Sequence, residues 1–368
     1  MYSHEMTLPR DRNQPLKGHG ALSNPTGRFE RRQREAIDDG WYQEEVPDFI
    51  PTSIEPDRAR SVIARNDSPD IPFEQSINPY RGCTHACPYC YARPSHAYMG
   101  LSPGLDFETR LFYKQDAGRL LEEELAKPGY VCKPITLGAN TDPYQPIERR
   151  MRVTREILEV LARCRHPVTI ITKSALVLRD LDLLADLARD GLAGVGVSVT
   201  TLNADLKRVM EPQAASPDAR LKAIAKLTDA GVPTGVMVAP VIPALTDHEM
   251  EAILEAAAAA GARWAGYVLL RLPHEVKDLF REWLAAHYPD RADHVMSLVR
   301  QMRGGKDYDS SFGTRMRGTG ALAELLRSRF QVACRRLGLG SGRHQPPDTG
   351  LFRPPRSGRA GPQLTLDL

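Results

Sequence analysis

The sequence predicts an α/β fold: a partial (βα)6 TIM-type barrel with a helical C-terminal extension and flexible termini. Three observations predict it. Apolar, β-rich runs alternate with segments of helical period, and such alternation builds a parallel sheet with right-handed crossovers. The units number six, too few for a closed eight-unit barrel and suited to an open one. Both ends of the chain are polar and lack sustained periodicity.

Residues 1–71 are rich in Pro, Arg, Asp and Glu and are expected to be mostly disordered, with Trp41 and Tyr42 as docking points. A weak extended run at 75–81 leads into a cysteine loop. Stronger runs follow at 135–140, 168–173, 194–200, 233–241 and 267–272. Helical segments fall at 114–127, 152–165, 176–190, 217–230, 247–260 and 275–287, with a last one at 321–337. Leu178, Leu181, Leu184 and Leu187 mark one apolar face, and Asp190-Gly191 gives a stop. The expected division is a lead at 1–71, a barrel core at 72–275, a helical extension at 276–339 and a tail at 340–368. The tail, rich in Gly, Pro and Arg, reads as a flexible tether.

Hydrophobic residues make up 42% and charged residues 26%, as in ordinary globular proteins. A net charge of +3 is too small to argue for nucleic acid by itself. From Arg303 onward, however, twelve lysines and arginines face four acidic residues before the last few positions. A basic part of this kind favours a polyanion or forms a solvated surface. No run approaches the roughly 20 apolar residues that span a bilayer. The first residues lack the build of a secretory signal, so a cytoplasmic location is expected. There, six cysteines serve as metal ligands or buried thiols rather than as a disulfide framework.

Cys83, Cys87 and Cys90 share the loop Arg81-Gly82-Cys83-Thr84-His85-Ala86-Cys87-Pro88-Tyr89-Cys90-Tyr91. This C-x3-C-x2-C spacing has no nearby fourth cysteine. Closed iron–sulfur and structural zinc sites normally use four protein ligands. Three thiolates can instead hold three corners of a [4Fe–4S] cube and leave the fourth iron open to a small molecule. Were His85 or His96 to join them, the loop would be a Cys3His zinc module.

In barrels the chemistry gathers at the C-terminal ends of the strands. Here those ends carry Asn140, Thr141 and Asp142, then Lys173 and Ser174, then Ser198, Thr200 and Thr201. The fifth ends in Ala239-Pro240, apolar and suited to a flat ring. A carboxylate or amide can bind an ammonium, a lysine a carboxylate, and hydroxyls a ribose. Together they can hold an amino acid joined to a nucleoside. Each alone also suits a helix cap or a turn.

The cysteine loop, its extended lead and the six-unit run resemble the radical S-adenosylmethionine (SAM) superfamily. Asn78-Pro79-Tyr80-Arg81-Gly82 ahead of the cysteines, Ala139-Asn140-Thr141-Asp142, Ile171-Thr172-Lys173-Ser174 and Val197-Ser198-Val199-Thr200 are similar to its spore photoproduct lyase-like branch. The resemblance covers residues 72–335. It implies a [4Fe–4S] cluster on Cys83, Cys87 and Cys90, whose open iron is chelated by SAM. Electron transfer from the cluster would then release a 5′-deoxyadenosyl radical that abstracts hydrogen from substrate. It also implies an external electron donor of flavodoxin or ferredoxin type. By motif, Tyr89 would lie against the adenine with Tyr91 nearby. Thr141 and Asp142 would lie near the methionyl amine, with Asn140 also in the cofactor site, Lys173 near the carboxylate, Ser198 near the ribose and Ala239 near the adenine.

One position departs from the branch. Its hydrogen-donating cysteine is replaced here by Ala139, and Cys132 lies too far upstream. The thymine-dimer reaction of the branch is therefore not expected, and the substrate, DNA or RNA included, stays open. A non-enzymatic iron–sulfur accessory protein of DNA repair is the competing class. Cys132, Cys164 and Cys334 read as buried thiols. The last residues, Gln363-Leu364-Thr365-Leu366-Asp367-Leu368, resemble the peptide by which bacterial repair proteins grip the sliding clamp. Gln363, Leu364, Leu366 and Leu368 would make that contact.

Overall fold

The computed structural model describes residues 15–30, 50–341 and 348–355. In chain order the first elements are β1 (Ser53–Asp57), β2 (Ile63–Arg65), β3 (Gln75–Ile77), β4 (Tyr80–Arg81), α1 (Leu105–Thr109), β5 (Arg110–Lys114) and α2 (Ala117–Leu125). Next come β6 (Ile135–Leu137), α3 (Glu148–Met151), α4 (Val153–Arg163), β7 (Val168–Thr172), α5 (Leu181–Arg189), β8 (Ala193–Ser198), α6 (Ala204–Met210) and α7 (Pro217–Asp229). The last are β9 (Thr234–Val241), α8 (Met250–Ala259), β10 (Trp264–Leu269), α9 (Val276–His287), α10 (Pro289–Gln301), α11 (Gly320–Leu337) and β11 (Gly340–Ser341).

The main sheet has the order β11-β10-β9-β8-β7-β6-β3-β2. Its six middle strands, β3 and β6 to β10, are parallel and adjacent in sequence order, the expected (βα)6 arrangement. Antiparallel β2 lies at one edge and the short β11 at the other, so the described strands form an open sheet. Apolar faces bind the helices to its outer side. Leu121 and Leu125 of α2, Ile157, Leu158 and Leu161 of α4, and Leu184 and Leu187 of α5 are all buried there. Helix α7 starts at Ser216, whose hydroxyl accepts from Ala219 N, with Pro217 in its first turn.

The sheet's inner face follows from period-two alternation and register. In β7, Thr169 and Ile171 are half-buried while Val168, Ile170 and Thr172 are buried. Ile171 pairs with Gly196, Gly196 with Gly235, and Gly235 with Trp264. The Trp264 indole fills this row. A Cβ on Gly235 would stand 2.0 Å from its ring, and one on Gly196 2.8 Å. One step toward the C-terminal ends lies the next row. Thr172 pairs with Val197, which brings Lys173 level with Ser198; Ser198 pairs with Met237, and Met237 with Gly266. Two expected site residues, Lys173 and Ser198, thus share one row above a tryptophan floor.

Several boundaries differ from expectation. The segment at 176–190 is a 3-10 turn at Ala175–Asp180 followed by α5, and Ser174 caps it by accepting from Leu176 N. Ser174 is therefore a cap rather than a ligand-facing residue. The last long strand begins at Trp264, three residues earlier than expected, because Gly196 and Gly235 make room for the indole. A second sheet, β1-β5-β4, and the helices α6 and α10 are additions.

The lead is partly packed. Within the stretch expected to be disordered, Leu16, Ala21 and Leu22 are buried, and Gly20 N and Ala21 N donate to buried Glu108 at 3.2 and 2.8 Å. The tail also docks: Phe352 packs on Tyr130 and His166, and Arg353 N donates to Cys164 O at 2.8 Å. Trp41, Tyr42 and residues 363–368 lie outside the described residues. Among those described, no helix is long and apolar enough to cross a membrane.

Candidate active site

The cysteine loop closes over the C-terminal ends of the strands. Gly82 starts it at φ 75°, and a Cβ there would meet Phe107 O at 2.9 Å. Cys83 N donates to Phe107 O at 2.9 Å and Cys90 N to Cys87 O at 3.2 Å. Gln145 grips the loop from the next strand end, accepting from Thr84 N at 3.0 Å and donating to Gly82 O at 3.1 Å. Arg93 is wholly buried beneath it. Its guanidinium donates to Cys87 O at 2.8 Å, Pro103 O at 3.0 Å and Gly104 O at 2.8 Å, and pairs with Glu108. A buried charge is retained only where it is paired and hydrogen-bonded, as here.

All three thiols of the loop are free; Cys83 and Cys87 are buried and Cys90 is half-buried. Burial pushes Cys87 up to about 12, with Glu211 adding to it, and burial followed by Asp142 raises Cys83. Negative charge on Cys90 and Cys87 also disfavours ionisation of Cys83, so the sulfurs share one space. Such thiols become thiolates only against positive charge, which a cluster's irons supply. Among the described residues, no three His, Cys, Asp or Glu side chains are placed to hold a single metal ion. The thiolates of a cube each bind a different iron and need not converge on one point. His85 Nδ1 instead lies 3.4 Å from Asp142, and His96 Nε2 lies 2.9 Å from Arg110 O.

Beneath the loop lies a buried polar network that the sequence did not single out. Glu211, at the end of α6, accepts from the hydroxyls of Tyr89 and Thr200 and pairs with Arg220. Burial alone would raise its pKa; Arg220 and Lys173, with the two hydroxyls, overcome this and hold it at about 2. Burial works against the charge of Lys173, yet Glu211 and then Cys87 keep its pKa above the usual lysine value. The Lys173 ammonium lies 5.8 Å above the Tyr89 ring. A charged lysine is thus held between the cysteine loop and the inner face of the sheet. The signal available in the sequence was Glu211-Pro212 following α6 and Arg220 in α7, ordinary surface residues by type.

The other expected positions divide into two groups. Ser198 is buried at the end of β8, in the row with Lys173, and Ala239 is half-buried on β9 with its carbonyl accepting from Thr200. Both border the lumen. The second group braces the strand end after β6. Asn140 N donates to Asn78 Oδ1 at 2.9 Å, and the Thr141 hydroxyl donates to Tyr80 O at 2.7 Å. Asp142 accepts from Tyr144 N at 2.9 Å, Thr172 Oγ1 at 2.7 Å and Lys173 N at 2.7 Å. With His85 beside its second oxygen, most of its acceptor directions are filled by protein. Tyr91 is 44% exposed, and its hydroxyl donates to Ala139 O.

The remaining cysteines are remote from the loop in the fold. Cys132 precedes β6, at the opposite strand end, Cys164 ends α4 and Cys334 lies in α11. The basic C-terminal part is less free than its composition implies. Arg303 is buried and donates to Leu270 O, Thr314 O and Arg315 O at 2.7 to 3.0 Å. Arg329 pairs with Glu251, Arg336 with Glu255 and Arg315 with Asp70.

Comparison with known proteins agrees with this geometry. The Radical SAM superfamily profile matches residues 77–257. An uncharacterized protein of Mycobacterium tuberculosis is 38% identical over 233 residues, 63% of this chain and 68% of its own length. A radical SAM Nalpha-GlyT isomerase of Pseudomonas phage M6 is 24% identical over 225 residues, covering 60% of this chain and 42% of that protein. A spore photoproduct lyase mutant superposes with TM-score 0.57 at 17% identity, over 78% of this chain and 81% of that one. Another lyase mutant, with bound AdoMet and dinucleoside spore photoproduct, gives TM-score 0.56 at 17% identity, over 78% of this chain and 80% of that one.

Proposed function

We propose that this chain, which belongs to the radical SAM superfamily, is an enzyme that removes hydrogen from a nucleic-acid substrate. Members of the superfamily use a [4Fe–4S] cluster and SAM, and when bound these supply a 5′-deoxyadenosyl radical. The observation that carries the reading is the meeting of three free thiols with the lumen row of Lys173 and Ser198. Cys83, Cys87 and Cys90 hold the cluster. Lys173 binds the methionyl carboxylate, Ser198 faces the ribose, and Ala239 and Tyr89 bound the adenine. Asn140, Thr141 and Asp142 fix the loop that carries them and border the methionyl amine, with Tyr91 at its outer edge. A flavodoxin- or ferredoxin-type protein delivers the electron. The domain division is a barrel core at 72–275 with the helices of 276–339 as its cover.

Nucleic acid is favoured as substrate by two supports. The lyase whose fold is similar carries a dinucleoside photoproduct in one of its structures. The clamp-like peptide at Gln363, Leu364, Leu366 and Leu368 would bring the enzyme to DNA. Spore photoproduct itself is not the expected substrate, since Ala139 offers no thiol beside the site and Cys132 lies at the far strand end. A cytoplasmic location fits an oxygen-sensitive cluster and a soluble donor.

The reading is tested by anaerobic reconstitution, reduction and chromatography. Wild type is expected to cleave SAM to methionine and 5′-deoxyadenosine, slowly even without substrate. Lys173→Ala should keep its iron and weaken SAM binding by about tenfold or more, the loss of a charged hydrogen bond. A full cluster that yields no deoxyadenosine would make the protein an iron–sulfur accessory factor instead. The clamp contact is read separately, by titrating a bacterial clamp with the tail peptide. Affinity on the order of micromolar is expected, lost on Leu366→Ala with Leu368→Ala. Equal signals from both peptides would remove it.

A further inference from the structure

Arg271 follows β10 at the C-terminal end of the barrel, where the chain leaves the last long strand. Its guanidinium lies 5.4 Å from the centre of the Tyr91 ring, and Tyr91 directly follows Cys90. Arg271 forms no ion pair with a described carboxylate. Its contacts are weak: the Met316 thioether at 3.4 Å and the Tyr308 hydroxyl at 3.4 Å. Its Nε is buried and has no hydrogen-bond partner. An unsatisfied buried donor on a charged group is costly to leave unmade.

The surroundings do not neutralise it. Neighbouring Arg303 adds a second guanidinium, bonded to three carbonyl oxygens rather than to an acid. Asp309, also nearby, is engaged by Ser311 N at 3.0 Å and the Thr314 hydroxyl at 2.6 Å. Asp307 is paired with Arg281 and Arg300. Buried Arg93, Arg220 and Arg303 and half-buried Arg315 and Arg329 each have a carboxylate or several carbonyls. Arg271 is held instead between two phenol rings and a sulfur, with its Nε donor unmatched.

We propose that Arg271 is the anchor for a backbone phosphodiester of the nucleic-acid substrate, which it holds against Tyr91 at the edge of the cysteine loop. The site rests on the nucleic-acid reading above and deepens it. A guanidinium suits phosphate because its fork matches two oxygens at once. A phosphodiester, rather than a lone small anion, fits the loop at 304–318, whose Tyr308 and Met316 contact Arg271. Exposed Lys306 and Arg317 supply further cations there, and Phe312, 61% exposed with the Arg315 guanidinium 4.6 Å from its ring centre, offers its other face to a base. Aromatic rings interleaved with cations are how single strands are held without sequence preference. Tyr308, from the Gly304-Gly305-Lys306-Asp307-Tyr308 run, acts here through Arg271 and not as an open stacking surface.

The test uses the reconstituted full-length holoprotein and fluorescein-labelled oligothymidylate and oligouridylate of about eight nucleotides, the order of one single-strand site. Affinity is measured by anisotropy over a series of salt concentrations. Each phosphate contact to a single strand contributes about 0.7 to the slope of log K against log salt. Arg271→Met is expected to bind about tenfold more weakly at low salt and to lose about 0.7 from that slope. Arg271→Lys should recover the slope but only part of the affinity, because a point charge replaces the fork. Arg336→Met, which breaks a surface pair with Glu255, should change neither. Iron content and melting curve are recorded for each variant; if Arg271→Met fails to fold, the Arg271→Lys loss of affinity decides. Wild-type affinity and slope in the Arg271 variants would overturn the anchor and leave the nucleic-acid reading standing. A wild-type protein that binds neither strand at low salt would overturn both. The two labelled strands separate DNA from RNA as the source of the phosphate.

Discussion

Replacing Cys87 by alanine is expected to abolish the iron–sulfur chromophore of the anaerobically reconstituted protein, leaving well under about one iron per chain where wild type binds about four. Three protein thiolates are the smallest set that can hold a cube with one open iron, so the loss of any one leaves two corners without a ligand. The loop gives no substitute. His85 is turned to Asp142 and His96 to Arg110 O, and Cys132, Cys164 and Cys334 lie on other parts of the fold. Cys83→Ala and Cys90→Ala should behave as Cys87→Ala does. Cys132→Ala, Cys164→Ala and Cys334→Ala should keep their iron. The backbone of the loop should survive in the Cys87 variant, because Arg93 and Gln145 hold carbonyl and amide groups rather than sulfur. Iron and sulfide analysis with an optical spectrum settles the matter. A normally loaded Cys87→Ala protein would remove the cluster assignment.

How far the molecule is legible in its sequence depends on what kind of signal each part leaves. Strands β6 to β9 are legible because each is buried on its outer side and gives an apolar, mostly β-branched run between amphipathic helices. Strand β10 is displaced in that view because its first residue, Trp264, points into the lumen over two glycines. A tryptophan beside Ala and Gly does not read as a strand start. Strand β1 escapes because it is short, half-exposed and contains Pro56, and its partner β5 carries Arg110 and Lys114. Such strands show no apolar period. The lead at 15–30 looks structureless because its few apolar side chains, Leu16, Ala21, Leu22 and Phe29, show no period, yet Glu108 holds its backbone from below.

The candidate site divides in the same way. Cysteines at a fixed spacing are rare enough to be read directly. Lys173 and Ser198 are found because they end strands, and the sheet register then sets them side by side. Arg93, Gln145, Glu211 and Arg220 carry no such mark. Each is a common surface residue type, made structural only by burial that follows from tertiary packing. Asp142 shows the converse. It stands where a ligand-binding carboxylate is expected, but three backbone and hydroxyl donors from the protein reach it. Only the folded chain shows that it also braces two strand ends.

The second large effect is expected at Glu211. Glu211→Ala would leave the guanidinium of Arg220 and the ammonium of Lys173 buried near one another without their shared counter-charge. Breaking a buried pair by removing one partner typically costs about 3–5 kcal/mol. The variant should therefore melt well below wild type and bind SAM poorly, since Lys173 loses the charge that holds it beneath the loop. Glu211→Gln separates charge from shape. Its amide oxygen can still accept from Tyr89 or Thr200, so the loop should stay in place while Lys173 shifts. A selective signature lies in acid. The pKa of Glu211 is about 2 in the folded protein against an ordinary value of 4.5, so its contribution is fully present above pH 4.5. As pH falls through that window the unfolded chain takes up the proton first, and the contribution is gone once pH drops below the folded value. Melting temperature should thus fall more steeply between pH 4.5 and 2 in wild type than in Glu211→Gln. Parallel curves for the two proteins, together with an unchanged melting point in Glu211→Ala, would show that the network beneath the cysteine loop is not what holds Lys173.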